Sequence, residues 1–279
     1  MNDSLPTHRG PATPVAQVHA ALRDGTPLTQ CITNYVSMDL AANLLNAAGA
    51  SPAMVHDPAE SAELAAIASA LCVNIGTPGP RWVEGMHAAA ARAHADGTPW
   101  VLDPVAVGAT AYRREIVAGL WEHRPTVVRG NASEILALSA GTGAGRGVDS
   151  TDESTEVLEH ARALARQQRT VVVVSGATDV VTDGERVSLV EGGDPRMPLI
   201  SALGCSASAL VAACCAVTPD SFDAAVGAMS VLAVAGQDAG RRADGPGTLR
   251  PHLLDALAAL DSADLGARAV VRARSGSAA

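Results

Sequence analysis

The segment "PTVVRGNASEILALS" (residues 125–139) holds the change of period on which the fold depends. "PTVVRG" (125–130) is a short apolar run ending in glycine, the pattern of a buried strand. From Asn131 onward the apolar residues take helical spacing. Asn131 stands at the N-cap position and Glu134 three residues inside, as in a capping box. A buried strand passing directly into a capped helix is one half of a βαβ unit. The same step recurs outward along the chain. "LCVNIG" (71–76) precedes "RWVEGMHAAAARAHADG" (81–97), and "PWVLDP" (99–104) precedes "RREIVAGLWEH" (113–123). "STEVLEHARALARQQ" (154–168) leads into "TVVVVSG" (170–176), the most apolar strand. Nearer the N-terminus, helices are expected at 15–24, ending at Gly25, at 38–49, with Gly49 as stop, and at 58–70, with a short strand at 52–56. Beyond 176, "DVVTDGERVSLV" (179–190) has an Asp-Gly turn between two alternating runs and predicts a β-hairpin. An apolar helix (204–217) and helices near 220–240 and 250–261 follow.

Strands that are near-continuous apolar runs, alternating with helices, predict an α/β fold: a mainly parallel central sheet with helices on both faces. The expected organisation is a flexible tail at 1–13, one domain over 14–265 and a C-terminal tail at 266–279, frayed over "RARSGSAA" (272–279). The glycine-rich, then acidic stretch 139–155 is expected to be a surface loop.

Composition narrows the function. The chain has 279 residues, 48% hydrophobic and 2% aromatic. Its core must therefore be built of Ala, Val and Leu, and it lacks the aromatic platforms on which single-stranded nucleic acid stacks. A net charge of -9 argues against a basic nucleic-acid footprint. Lysine is absent and every fixed cation is arginine, which excludes Schiff-base and P-loop lysine chemistry. The cysteines are Cys31, Cys72, Cys205, Cys214 and Cys215. An odd count with no CxxC pair predicts reduced thiols in a cytoplasmic protein without structural zinc. The N-terminal residues lack the apolar core of a signal peptide. No apolar run reaches the roughly 18 residues of a membrane span.

In such a sheet, ligands bind beyond the carboxyl ends of the strands. Those ends read "NIGT" (74–77), "LDPVAVGAT" (102–110), "VRGNASE" (128–134) and "VSGATD" (174–179). Turn formation accounts for their glycines but not for Asp103, Arg129, Asn131 and Glu134 gathered on one edge. Asp103 and Glu134 are hard carboxylates of the kind that hold Mg²⁺, often through water. Their bland readings are an Asp-Pro turn and the capping box. Arg129 can pair with phosphate oxygens or form a salt bridge to Glu134. GxGxxG between a strand and its helix, GxxxxGK[ST] and HExxH are all missing, which disfavours dinucleotide-binding, P-loop and zinc-hydrolase readings. Cys205, at the head of "SALGCSASALVAACCAV" (201–217), is either apolar filler or a thiol whose pKa is lowered beside a helix-start anion cradle.

Several blocks together identify the chain as similar to the hydroxyethylthiazole kinases of the ribokinase-like superfamily. They are "ITNYVSMDLAANLLNAAGASPAMVH", "VNIGT", "VLDPVAVGAT", "RGNASEI", "GVDSTD", "VVVSGATDVVTDG" and "DGPGTLRPHLLDAL", in family order from about residue 15 to 260. The resemblance implies a ribokinase-like three-layer fold. It implies ATP-dependent phosphorylation of the primary hydroxyl of 4-methyl-5-(2-hydroxyethyl)thiazole in thiamine salvage, with Mg²⁺, in a homotrimer with sites at the subunit interfaces. It implies that Asn34, Met54, Gly76, Thr77 and Ala202 contact the thiazole. Arg129, Ser175 and Asn131 would serve ATP, and Asp103 and Glu134 the metal. Cys205 stands where related kinases carry a catalytic aspartate, and the N–H groups of Leu203, Gly204 and Cys205 would cradle the moving phosphoryl group. A thiol of lowered pKa there would take the substrate proton. The family's loop typically reads T-G-[TA]-G-C, whereas this chain reads Ser201-Ala202-Leu203-Gly204-Cys205. Ala202 is costly if its position needs a positive φ. The altered loop keeps two alternatives open: a kinase for a related alcohol such as hydroxymethylpyrimidine, or a ligand-binding member of low activity.

Overall fold

Alternate residues of the central strands serve opposite faces, and this alternation sorts the whole chain into two hydrophobic clusters. A computed structural model describes residues 13–142 and 153–274. The N-terminal tail, most of the 139–155 loop including the "GVDSTD" block, and residues 275–279 lie outside the described residues. In chain order the elements are α1 (Pro14–Gly25), β1 (Leu28–Ile32), α2 (Met38–Ala48), β2 (Ser51–Ala53), α3 (Ser61–Ala65), β3 (Ala70–Asn74), α4 (Pro80–Asp96) and β4 (Trp100–Asp103). They continue with α5 (Ala111–Leu120), β5 (Val127–Asn131), α6 (Ala132–Thr142), α7 (Glu153–Gln168), β6 (Val171–Ser175), β7 (Thr178–Thr182) and β8 (Val187–Glu191). The last are α8 (Leu203–Val217), α9 (Ser221–Arg242), α10 (Pro246–Ala259), α11 (Ser262–Arg268) and β9 (Val270–Ala273).

The sheet order is β2-β1-β3-β4-β5-β6-β7-β8-β9. Pairing is parallel from β2 through β6 and antiparallel from β6 to β9. Cys31, Cys72, Val101, Val127 and Val173 face a cluster built with α1, α2 and α8–α11. Ile32, Val73, Leu102, Val128 and Val172 face the other cluster, built with α4–α7 and Ala65 of α3. The expected three layers are present. Strand order reverses at β1, which places a crevice at the carboxyl ends of β1 and β3. Helix α8 packs across β1, β3, β4 and β5.

Helix α1 ends at Gly25 as expected, with Thr26 as its C-cap at φ 41. Two expectations need correction. The helix expected at 58–70 is only α3, because the chain must turn at 66–69 to bring Ala70 into register with Thr29 of β1. The stretch read as a C-terminal tail from 266 continues the fold: Asp261 caps α11 through the N–H groups of Ala263 and Asp264, and β9 pairs with the otherwise open edge of β8. The hairpin forms as expected, with Gly184 at φ 97 in its turn. Among the described residues no helix is long and apolar enough to cross a membrane.

Candidate active site

The carboxyl ends of β1, β3 and β4 bring three polar side chains into one buried chain of hydrogen bonds. Asn74 and Asp103 are register partners at the ends of β3 and β4. Asn74 Nδ2 donates to Asp103 Oδ2 at 2.7 Å. Asn34, just past β1, donates from Nδ2 to Asn74 Oδ1 at 2.8 Å and to Cys205 Sγ at 3.4 Å. Ser208 Oγ, one helical turn beyond Cys205 on the same face of α8, donates to the same Asp103 oxygen at 2.8 Å. The loop after β3 closes on this network. Gly76 N–H donates to Asn74 Oδ1 at 2.9 Å, and a Cβ on Gly76 would lie 2.5 Å from Asn34 Nδ2, so glycine is the residue that fits.

Asp103 is 1% exposed. Burial pushes its pKa up to about 6, against the opposing pull of Arg129 and the Ser208 hydroxyl; the charge of Glu134 adds to the rise. The Cys205 thiol is also raised, first by burial and then by the Asp103 charge; the amide donors and Arg129 oppose this and lose. The expected depression of this thiol is therefore corrected. A helix start does not offset burial next to a carboxylate.

The entry to α8 is unusual. Ala202, its N-cap, has φ 68 and ψ 2, a left-handed conformation that an L-residue with a Cβ adopts at a cost. This conformation carries the chain into the helix. Ala202 O then accepts from Ser206 N–H at 3.0 Å and Ser206 Oγ at 2.9 Å. Leu203 N–H turns back to Ile200 O at 3.3 Å. The expected cradle of three N–H groups thus narrows to Gly204 and Cys205, whose N–H groups have no partner among the described residues. The Arg129 guanidinium lies over Gly204: a Cβ there would sit 2.8 Å from its Nη1.

On the other side of Arg129 opens a cavity of about 760 Å³, bounded by Ser175, Asp179, Gly193, Met197 and Gly204. Two buried polar atoms, Arg129 Nε and Ser175 Oγ, have no partner. Such a volume is within the range of small-ligand sites.

Residues 19–263 match the Hydroxyethylthiazole kinase family. The chain belongs to that family. It is 55% identical over 262 residues to the hydroxyethylthiazole kinase of Rhizobium johnstonii, covering 94% of this chain and 98% of that one. It is 52% identical to that of Gemmatimonas aurantiaca, covering 94% and 96%. The solved structure of a hydroxyethylthiazole kinase from Pyrococcus horikoshii OT3 superposes with a TM-score of 0.87 at 32% identity, over 93% of this chain and 98% of that one. A Bacillus subtilis pyridoxal kinase, at 19% identity and a TM-score of 0.57 over 76% of this chain and 92% of that one, shares the fold.

Of the residues the hydroxyethylthiazole kinase resemblance singles out, Asn34, Gly76, Asp103, Arg129, Gly204 and Cys205 meet around the cradle. Ser175 and Ala202 line the adjoining cavity. Thr77 Oγ1 accepts from Tyr35 N–H at 3.2 Å, and Met54 is half-buried against the core. Asn131 stands apart from the cavity. Its Oδ1 accepts from Glu134 N–H at 3.0 Å and from Ser133 Oγ at 2.7 Å, and its own N–H donates to Glu134 Oε2 at 2.8 Å, which completes the capping box of α6. The bridge to Glu134, the bland reading of Arg129, is not formed: Glu134 accepts from Ala106 N–H at 2.9 Å and from Asn131 N–H at 2.8 Å, so its own bland reading, the capping box, is present. Three residues were missed. Asn74 and Ser208 complete the Asp103 network. Arg113 clamps the loops after β3 and β4, donating to Ile75 O at 2.8 Å, Val105 O at 2.6 Å and Gly76 O at 2.6 Å. A polar residue three positions after Cys205 in an apolar helix was the available signal for Ser208.

Proposed function

We propose that this chain transfers the γ-phosphoryl group of ATP to the primary hydroxyl of 4-methyl-5-(2-hydroxyethyl)thiazole, a reaction of thiamine biosynthesis and salvage. The observation that carries the reading is the pair of unpartnered N–H groups at Gly204 and Cys205. They lie between the Arg129 guanidinium and the Asn34–Asn74–Asp103 chain. A phosphoryl group in flight is an anion, and two helix-start donors beside an arginine stabilise it where charge develops. ATP occupies the cavity beyond Arg129, with its phosphates toward Arg129 Nε and Ser175 Oγ. The thiazole alcohol takes the opposite side, bounded by Asn34, Met54, Gly76 and Thr77, with Ala202 at the boundary.

The alcohol oxygen attacks the γ-phosphorus, the bond to the β,γ-bridging oxygen breaks, and ADP carries the electron pair away. The hydroxyl proton leaves late, to an oxygen of the transferred phosphoryl group and from there to solvent, because a loose transition state needs no strong base. Cys205, whose Sγ accepts a hydrogen bond from Asn34, has a raised pKa and acts as a neutral thiol that positions the alcohol. Asp103 and Glu134 would hold Mg²⁺. No group of three or more metal-ligating side chains exists among the described residues, and two carboxylates at the strand ends suit a largely hydrated ion completed by substrate phosphates. When bound, that ion supplies charge neutralisation to the phosphates. The assembly is a homotrimer in this reading. Tyr35 and Val36, 70% and 65% exposed beside Asn34, supply apolar surface for a subunit contact.

The test is ADP release from MgATP with a panel of small primary alcohols, the thiazole and hydroxymethylpyrimidine included. The thiazole should be preferred. Turnover of the pyrimidine alone would reassign the substrate, and thiazole binding in calorimetry with no ADP would select the ligand-binding reading.

A further inference from the structure

A second cavity lies at the opposite end of the sheet from the cradle. It has a volume of about 650 Å³ and opens beside Thr126 and Thr170, which precede β5 and β6 at their amino ends. Its cations are Arg124, Arg166 and Arg169. Arg124 and Arg169 both have left-handed backbones, at φ 51 and φ 53. Positions of this kind, just past a helix, are where glycine is usual. Two arginines holding the costly conformation against one cavity are an outlier of the sort that marks functional sites.

The arginines also outnumber the acids that share the cavity with them. Among the described residues none of the three forms an ion pair with a carboxylate, in a chain of net charge -9. Arg166 is anchored through Nη1 to Gly184 O at 2.9 Å, which leaves the rest of its guanidinium for other partners. Two acids face the same cavity, Asp183 and Glu185. Asp183 is neutralised by Arg186 at 2.6 Å, and its Oδ1 accepts the N–H groups of Glu185 and Arg186. The floor is tied together: Thr170 Oγ1 donates to Pro125 O at 2.8 Å, with Thr126 O within reach at 3.1 Å, which staples the starts of the two strands.

We propose that the cavity formed by Arg124, Arg166 and Arg169 is a second anion site, which binds a small phosphate-class dianion, either inorganic phosphate or a phosphomonoester. Three exposed arginines lining a concave floor can offer guanidinium donors to the tetrahedral oxygens of such an anion. Strand β5 begins beside this cavity and carries Arg129 toward its other end.

The test is calorimetric titration of the metal-free protein with inorganic phosphate, in the wild type and in an Arg129→Met background that removes the active-site cation. Arg124→Asn/Arg169→Asn is the informative change, because asparagine tolerates the left-handed conformation and keeps the fold; thermal unfolding verifies this. The Arg129→Met protein should still bind phosphate. Adding Arg124→Asn/Arg169→Asn should weaken that binding at least about tenfold. In the wild-type background the same two changes should leave phosphate-free kinase turnover within about twofold, since neither residue touches the reacting groups. A parallel titration with glycerol 3-phosphate separates the sources: tighter binding of the ester assigns a phosphomonoester, tighter binding of the inorganic ion assigns free phosphate. No phosphate binding by the Arg129→Met protein, or affinity untouched by the two asparagines, would overturn the proposal.

Discussion

The two ends of helix α8 carry the same chemistry in residue type and opposite chemistry in environment. At its start, Cys205 is half-buried, accepts a hydrogen bond from Asn34 and lies within the field of Asp103 and Arg129. At its end, Cys214 and Cys215 are buried among alanine, valine and leucine. Burial raises their thiols, with no partner but each other. Small residues fill both ends, for different reasons. Gly204 makes room for a guanidinium, whereas Ala212 and Ala213 let the helix lie close to the sheet. A cysteine in an apolar helix therefore means little by itself; the strand ends facing it decide its role.

The most damaging way to break this asymmetry is to remove the charge that faces the first turn. Asp103→Asn should reduce turnover by about 10²–10³-fold, the scale of losing one designed electrostatic contact in a phosphoryl-transfer site. The same change should stabilise the metal-free protein at neutral pH. The folded-state pKa of Asp103, about 6, lies above its ordinary value of 3.8. The destabilisation it imposes is absent below about pH 4, grows as pH rises and is complete above about pH 6. By linkage it amounts to about 3 kcal/mol. Denaturant unfolding of both proteins at pH 4 and pH 8 measures it: the stability difference should open only at the higher pH. In the wild type kcat/KM should fall below about pH 6, as Asp103 takes up a proton.

Gly204→Ala is the next test of the contrast. In mid-helix this change would add about 1 kcal/mol of stability by propensity. Here the new Cβ meets Arg129, so turnover should fall at least about tenfold, chiefly through KM for ATP, while unfolding moves little. The smallest effect belongs to Ala202→Gly. Relief of the left-handed backbone should raise stability by about 1 kcal/mol after the entropy of the unfolded glycine is subtracted. Thermal unfolding should detect a rise of a few degrees at most.

The layered fold was legible because periodicity is local: each strand run and each helical spacing could be read within a dozen residues. Asp103, Glu134 and Arg129 were legible through one further rule, that strand ends carry the site, and Cys205 through its place at a helix start. Asn74 and Ser208 had only weak local signals, a strand end and a polar position in an apolar helix, because the partner that gives them meaning, Asp103, lies 29 and 105 residues away in the chain. The sign of the Cys205 shift was misjudged for the same reason. The helix start is visible in sequence, but the burial and the opposing carboxylate come from β4. Strand β9 escaped because an exposed "VVRA" gains its meaning only beside the open edge of β8.

Cys205→Ala and Cys214→Ala, assayed side by side for ADP release with MgATP and 4-methyl-5-(2-hydroxyethyl)thiazole, test the central claim most directly. Both remove one sulfur from one helix. Cys205→Ala should lose about 10²-fold in kcat, the scale of losing one positioned contact to the reacting groups, with little loss of stability. Cys214→Ala should keep kcat within about twofold and lose about 1–2 kcal/mol of stability to the cavity it leaves. Equal turnover by the two variants would contradict a functional first turn of α8.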